Sequence, residues 1–383
     1  TMSNGGSIDL NWDSKWVSEV QNYEDKWVVE MAIPFKSIRY EKDVTEWGVN
    51  FSRLDLSTNE KSSWTPIPRQ FPTASLAYTG TMVWDNPPPK QGLNYSIIPY
   101  VLGTVGNSSI EDITYDDEFK VGGDVKLGLT SSLNLDLTIN PDFSQVEADR
   151  QVANLTRFEL FFPERRQFFL ENADLFANFG YDEIRPFFSR RIGLGVPIIA
   201  GARVSGNLNR NLRLGLMDMQ TDKMDETGLP SQNFAVLSLQ QKVFSRSNIG
   251  LMFVNKESLD YNALTDDLKS EYTKFNRNLG LEYNLASADN KYNGKAFMLK
   301  SFGPDSSYNG IAQGAHLAYS SRKWNWRVQQ EYISEDFTSE VGFVPRNNYI
   351  KLEGSVGYQF LPASEKIVSH GPKYLGFYYF DPS

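Results

Sequence analysis

Between residues 93 and 383 the sequence repeats one pattern, runs of about 9 to 12 residues in which apolar and polar side chains alternate. In SLNLDLTIN (132–140), Leu133, Leu135, Leu137 and Ile139 take one set of positions; Asn134, Asp136, Thr138 and Asn140 take the other. NLRLGLM (211–217), LGLEYNL (279–285), WNWRVQQEY (324–332) and IKLEGSVGYQF (350–360) repeat it. A period of two belongs to a strand, whose successive side chains point to opposite faces. The pattern predicts strands near 93–103, 119–130, 131–140, 196–207, 211–221, 232–244, 247–256, 275–286, 291–302, 310–321, 323–333, 349–361 and 373–380.

Two architectures use such strands. A membrane barrel sets one face to lipid and the other to a polar lumen; a soluble sandwich or propeller also alternates. These strands exceed the usual five or six residues. Short turns such as NLNRN (207–211) and FSRS (244–247) trade places with longer connections such as 257–274. Tyr, Trp and Phe gather near strand ends, as an interfacial belt requires. These features favour an antiparallel transmembrane β-barrel. No run approaches the roughly 20 apolar residues of a spanning helix.

Composition narrows the chemistry. The net charge is −9 with a pI near 5.0, which argues against a nucleic-acid partner, since phosphate binding needs a basic surface. There is no cysteine, and the two histidines, His316 and His370, are far apart in sequence, which argues against a zinc site. No phosphate-binding glycine loop, GxSxG elbow or HExxH is present, so nucleotide, serine-hydrolase and zincin chemistry have no support. The opening TMSNGGSIDLNW has neither a basic nor an apolar leader region.

Residues 1–90 have a different texture. DKWVVEMAIP (25–34) and EWGVNFSRLDLS (46–57) alternate and predict strands, and FKSIRY (35–40) between them suits one helical turn. Six of the eight tryptophans lie here: Trp12, Trp16, Trp27, Trp47, Trp64 and Trp84. DNPPPKQG (85–92) reads as a linker, because proline cannot donate to a ladder.

One segment breaks the alternation. NPDFSQVEADRQVANLTRFELFFPERRQFFLENADLF (140–176) crowds phenylalanines among charges and is too long for a turn. QVEADRQVANLTRFELF within it has a helical stripe of Val146, Val152, Leu155 and Phe158, which Pro163 would end. If the strands form a barrel, these charges cannot face lipid, and the insert folds into the lumen as a plug. Arg157, Arg165, Arg166, Arg190 and Arg191 then pair with Glu147, Asp149, Glu159, Glu164 and Glu171. Docking on a soluble sheet is the plainer alternative. Asp142, Glu147, Asp149, Glu159 and Glu164 could also supply a glycosidase carboxylate pair or oxygen ligands for calcium.

The insert, FFSRRIG (187–193), WVVEMAIPFKSIRY, EWGVNFSRLDLSTNEKSSWTPIPR and EVGFVPR (340–346) together resemble a family of Bacteroidota outer-membrane proteins. These join an N-terminal domain similar to family 9 carbohydrate-binding modules to a C-terminal β-barrel domain of unknown function, the DUF5916 type. The resemblance covers nearly the whole chain. It implies that 1–90 is the C-terminal part of a carbohydrate-binding-module-like β-sandwich and that 91–383 is the barrel domain with insert 141–193. It also implies a longer native protein at both ends, since half the sandwich and the strand after 373–380 are missing from the pattern.

A sugar site would need exposed aromatic platforms. Trp12, Trp16, Trp47, Trp64 and Trp84 are the candidates, with Trp12 and Trp64 favoured because they lie near loops; burial in a small sandwich is the competing use. Three functions follow as expectations. The first is a non-enzymatic, plugged outer-membrane barrel in transport or in an envelope assembly, with no cofactor; its partners are outer-membrane lipid, glycan and other envelope proteins. The second is an outer-membrane glycan hydrolase. The third is a surface glycan-binding protein. The side of the membrane on which residues 1–90 lie is left open.

Overall fold

The alternating runs become one antiparallel sheet. In a computed structural model, residues 2–3, 7–8, 16–35, 38, 40, 43–89, 95–104, 118–130, 132–141, 143, 149, 151–224, 228–363 and 366–382 are described. The sheet contains β9 (Tyr95–Thr104), β10 (Glu118–Gly128), β11 (Leu133–Ile139), β12 (Ile198–Asn207), β13 (Leu212–Thr221), β14 (Gln232–Val243) and β15 (Ser247–Ser258). It continues through β16 (Phe275–Ala286), β17 (Tyr292–Phe302), β18 (Ile311–Ser320), β19 (Trp324–Ile333), β20 (Tyr349–Tyr358) and β21 (Lys373–Phe380). Each strand pairs with its sequence neighbours, so the 13-stranded sheet is a pure meander with β9 and β21 as its edges. Every run predicted from alternation is present; closure into a barrel is not seen, because β9 and β21 do not pair.

Upstream, among the described residues, lie four two-stranded ladders: β1 (Met2–Ser3) with β2 (Ser7–Ile8), β3 (Val17–Asn22) with β4 (Trp27–Ala32), β5 (Glu46–Val49) with β8 (Gly80–Val83), and β6 (Ser52–Asp55) with β7 (Glu60–Ser63). The run expected as one strand over 46–57 is two. At the break the Asn50 Oδ1 accepts the Phe51 and Thr65 amides at 2.9 and 3.1 Å, offering the backbone an alternative to the ladder. Phe35, Tyr40, Trp47 and Trp84 form an aromatic cluster with ring centroids 5.2–6.3 Å apart. Of the helical turn expected over 35–40, Lys36, Ser37 and Arg39 lie outside the described residues; the Ile38 amide donates to the Phe35 carbonyl at 3.4 Å, as a turn requires.

The large sheet has an apolar outward row and a buried face that mixes apolar and polar side chains. Leu214, Leu239, Leu251, Leu281 and Met298 are cross-strand neighbours in one row, and that row faces outward, Leu281 being 56% exposed. The opposite face buries Asp136, Arg203, Ser238, Lys256, Asn276, Asn278, Glu282 and Glu331. Outward apolar cover gives way toward one end of the strands to a polar rim that includes Asp218–Asn233 and Asn255–Arg277 contacts. Gln313 and Gln330 are uncharged exceptions among the outward positions. At the other end, Tyr292, Tyr319 and Trp326 form one run of touching outward rings and Trp324, Tyr358 and Phe360 another, with centroids 4.7–6.0 Å apart.

Candidate functional site

The buried face is occupied by the insert between β11 and β12. Its residues meet the strands in sequence order. Glu171 takes bonds from Lys126 of β10 and, at 2.9 Å, from Asn134 of β11. Asn172 donates to Ser205 of β12 at 2.8 Å. Asp174 accepts from Arg213 of β13 at 2.7 Å, and Ser238 of β14 donates to the Leu175 carbonyl at 2.6 Å. Phe179 lies over Gly280 of β16. Lys295 of β17 donates to the carbonyls of Asn178 and Gly180 at 2.6 and 2.8 Å. Tyr181 reaches His316 of β18, Oη to Nδ1 3.1 Å.

The walk covers the strands from β10 to β18, eight strand spacings apart, and passes through the helical turn α2 (Asp174–Ala177) after α1 (Gln167–Leu170). The insert therefore lies along the buried face of the sheet.

Two glycines open the wall where the insert presses in. A Cβ on Gly215 would come 2.7 Å from Phe176, and one on Gly280 would come 2.5 Å from Phe179 and 2.6 Å from Leu299. Phe169, Leu175, Phe176, Phe179, Ile184 and Phe187 form one core with Met219, Val236, Met252, Val254 and Leu299 from the strands. The loop between β19 and β20 joins it: Phe337, Val341 and Phe343 are buried, and Phe343 bridges to Arg185 of the insert.

The predicted ion pairs fall as follows. Glu164 and Arg166 form a two-pronged bond, Nε to Oε1 2.9 Å and Nη2 to Oε2 2.7 Å. Asp149 meets Arg190, and Arg165 at 3.7 Å. Glu159 meets Arg191. Glu171 is held by a lysine, Lys126, rather than an arginine. Arg157 stacks over the Phe158 ring at 5.1 Å. Glu147 and Asp142 lie outside the described residues. Burial would raise the Glu164 carboxyl, but hydrogen bonds and charge from Arg166, with the Ser189 hydroxyl, outweigh it and hold the group below its usual value.

The helical stripe expected over 145–161 is not formed in its described part. From 151 to 162 the backbone is irregular, with Leu155 exposed. Asn154 explains this: its Oδ1 accepts the Thr156 amide at 3.0 Å and its Nδ2 donates to the Phe158 carbonyl at 2.7 Å, bonds that compete with a helix.

Sequence reasoning missed the strand-borne half of the site, because each such residue reads as the polar position of an ordinary strand. Arg203 bonds Asp136 at 2.8 Å and lies 5.0 Å over Phe168; Lys295 pairs with Glu282 at 3.1 Å. Between the insert and β16–β21 a cavity of about 510 Å³ remains, lined by Tyr181, Asp182, Arg185, Lys295, His316, Arg327, Gln329, Glu331 and Lys351 among others. Burial pushes the Tyr181 phenol upward, so it stays protonated there.

Of the proposed sugar platforms, Trp64 is 59% exposed, its ring 5.9 Å from that of Phe51. Trp16 is exposed, Trp47 and Trp84 belong to the aromatic cluster, and Trp12 lies outside the described residues. Among the described residues no three His, Asp or Glu side chains gather as metal ligands.

No curated protein matches the chain. A family model described as a domain of unknown function (DUF5916) matches residues 92–212 and 196–375, the sheet, its insert and its loops, and the chain belongs to that family.

Proposed function

We propose that the chain belongs to a non-enzymatic bacterial outer-membrane β-barrel protein, its lumen filled by the insert 141–193 and the 334–348 loop, acting in transport or as a component of an envelope assembly. One observation carries this reading: the sheet hides its charges and displays its leucines. In water, an outward apolar surface spread over many strands would be a large patch calling for cover. In lipid it is the expected exterior, and the two runs of outward tyrosine and tryptophan suit the membrane boundary. Backbone groups at the two free edges must find partners in a bilayer, so the reading requires the sheet to be closed in the membrane.

Asp149, Glu159, Glu164 and Glu171 are each engaged by arginine or lysine, which supports a structural role for these carboxylates over acid–base chemistry. Exposed Trp64 supports an accessory glycan-binding role for the N-terminal domain. The test is conductance of the full-length protein in planar bilayers, beside a variant lacking residues 143–176 and the milder double variant Glu164→Gln/Arg166→Gln. A closed wild type with a conducting variant supports a plugged barrel. A protein that is extracted by alkaline carbonate and never enters bilayers refutes the reading.

A further inference from the structure

The fold also carries information about sidedness. The turns 208–211, 244–246, 287–291 and 321–323 lie at one end of the sheet; the connections 259–274, 303–310 and 334–348, and the insert, lie at the other. The 359–372 connection is the long exception at the first end, pinched by a Phe360–His370 bridge. Outer-membrane barrels put short turns in the periplasm and long loops outside.

Two independent features tie the N-terminal domain to the short-turn end. Strand β9 begins there: Tyr95 pairs with Leu127, beside the turn that follows β10. The domain also touches a short turn directly, the Tyr78 hydroxyl donating to the Asp289 carbonyl at 2.7 Å. Both sides of that contact are built. Tyr78 stacks on Phe71 at 5.4 Å, and its carbonyl accepts the Thr65 hydroxyl at 2.7 Å. Opposite it, Arg246 of the neighbouring turn holds the Ser287 carbonyl and the Asn290 Oδ1 at 3.2 and 3.0 Å.

We propose that the N-terminal domain docks through Tyr78 on the 287–291 turn and lies in the periplasm, while the insert enters the lumen from the extracellular end. This rests on the membrane reading above and extends it. Partners of the N-terminal domain are then periplasmic molecules.

These 383 residues contain no cysteine, so within them each introduced cysteine is the sole labelling site, and the unsubstituted full-length protein sets the background. Single cysteines are placed in the full-length protein at Thr58→Cys in the N-terminal domain, Arg322→Cys in a short turn and Asp267→Cys in a long loop. Cells are treated with a membrane-impermeant maleimide before and after outer-membrane permeabilisation. The proposal expects Asp267→Cys to label in intact cells, and Thr58→Cys and Arg322→Cys to gain labelling at least tenfold only on permeabilisation. Thr58→Cys labelling in intact cells overturns it, whichever of the other two accompanies it. If all three label only after permeabilisation and carbonate releases the protein, the membrane reading has failed, and the inference with it.

Discussion

Arg166 closes the insert onto itself: it grips Glu164 with two bonds, donates to the carbonyls of Ile192 and Ser189 at 2.7 and 2.6 Å, and lies 4.3 Å over the Phe169 ring. One guanidinium thus joins the start of α1 to the segment that leads back into β12. Lysine cannot reproduce this, because it lacks the planar fork.

Arg166→Ala should therefore cost about 3 kcal/mol or more, since it leaves Glu164 largely buried without its counter-charge. Arg166→Lys should recover only part of the loss. Denaturant unfolding of the full-length protein, with limited proteolysis at the insert, measures both. Equal stability of wild type and Arg166→Ala would show that the clamp is not structural.

Acid should loosen the insert. The Glu164 carboxyl is held below its usual value near 4.5 in the folded chain. Its contribution is full above the unfolded value and is lost as pH falls through the lowered folded one. Protease susceptibility of the insert should rise below about pH 4.5, and Glu164→Gln should flatten this dependence relative to wild type. An unchanged pH profile in Glu164→Gln would assign the acid response to other groups.

Leu281→Arg separates lipid from water. Leu281 faces outward in the middle of its cross-strand row, between Leu251 and Met298. A bilayer exterior makes the change cost about 2–4 kcal/mol; a water-exposed sheet would register within about 0.5 kcal/mol. Refolding into liposomes measures the difference, with Ser245→Arg at an exposed position of a short turn as the control. Equal refolding of the two variants would argue against a lipid-facing row.

Gly280→Val should drive Phe179 out of its place. The new side chain begins 2.5 Å from that ring, and overpacking of this kind costs about 1–3 kcal/mol. The double variant Gly280→Val/Phe179→Ala should be more stable than the sum of the single effects allows, because the clash with the ring is gone and only the crowding against Leu299 remains. Additive losses in a double-mutant cycle would mean that the ring and the glycine are not in contact.

The sequence by itself determined the strands. Alternation depends only on neighbours in the chain, and every run read from it over 93–383 forms a strand; SLNLDLTIN also states which residues share a face. What it left open was which face turns inward, because a period of two is the same in lipid and in water. Tertiary structure decided that by bringing Glu171, Asp174 and Tyr181 against Lys126, Arg213 and His316. These partners are distant in sequence, and nothing local marks Lys295 or Arg203 as part of a site. The insert shows both limits. Its crowded charges announced ion pairs, and several formed, yet its helical stripe yielded to the side chain of Asn154, and its place on the buried face follows from holes at Gly215 and Gly280 that exist only once the strands are side by side.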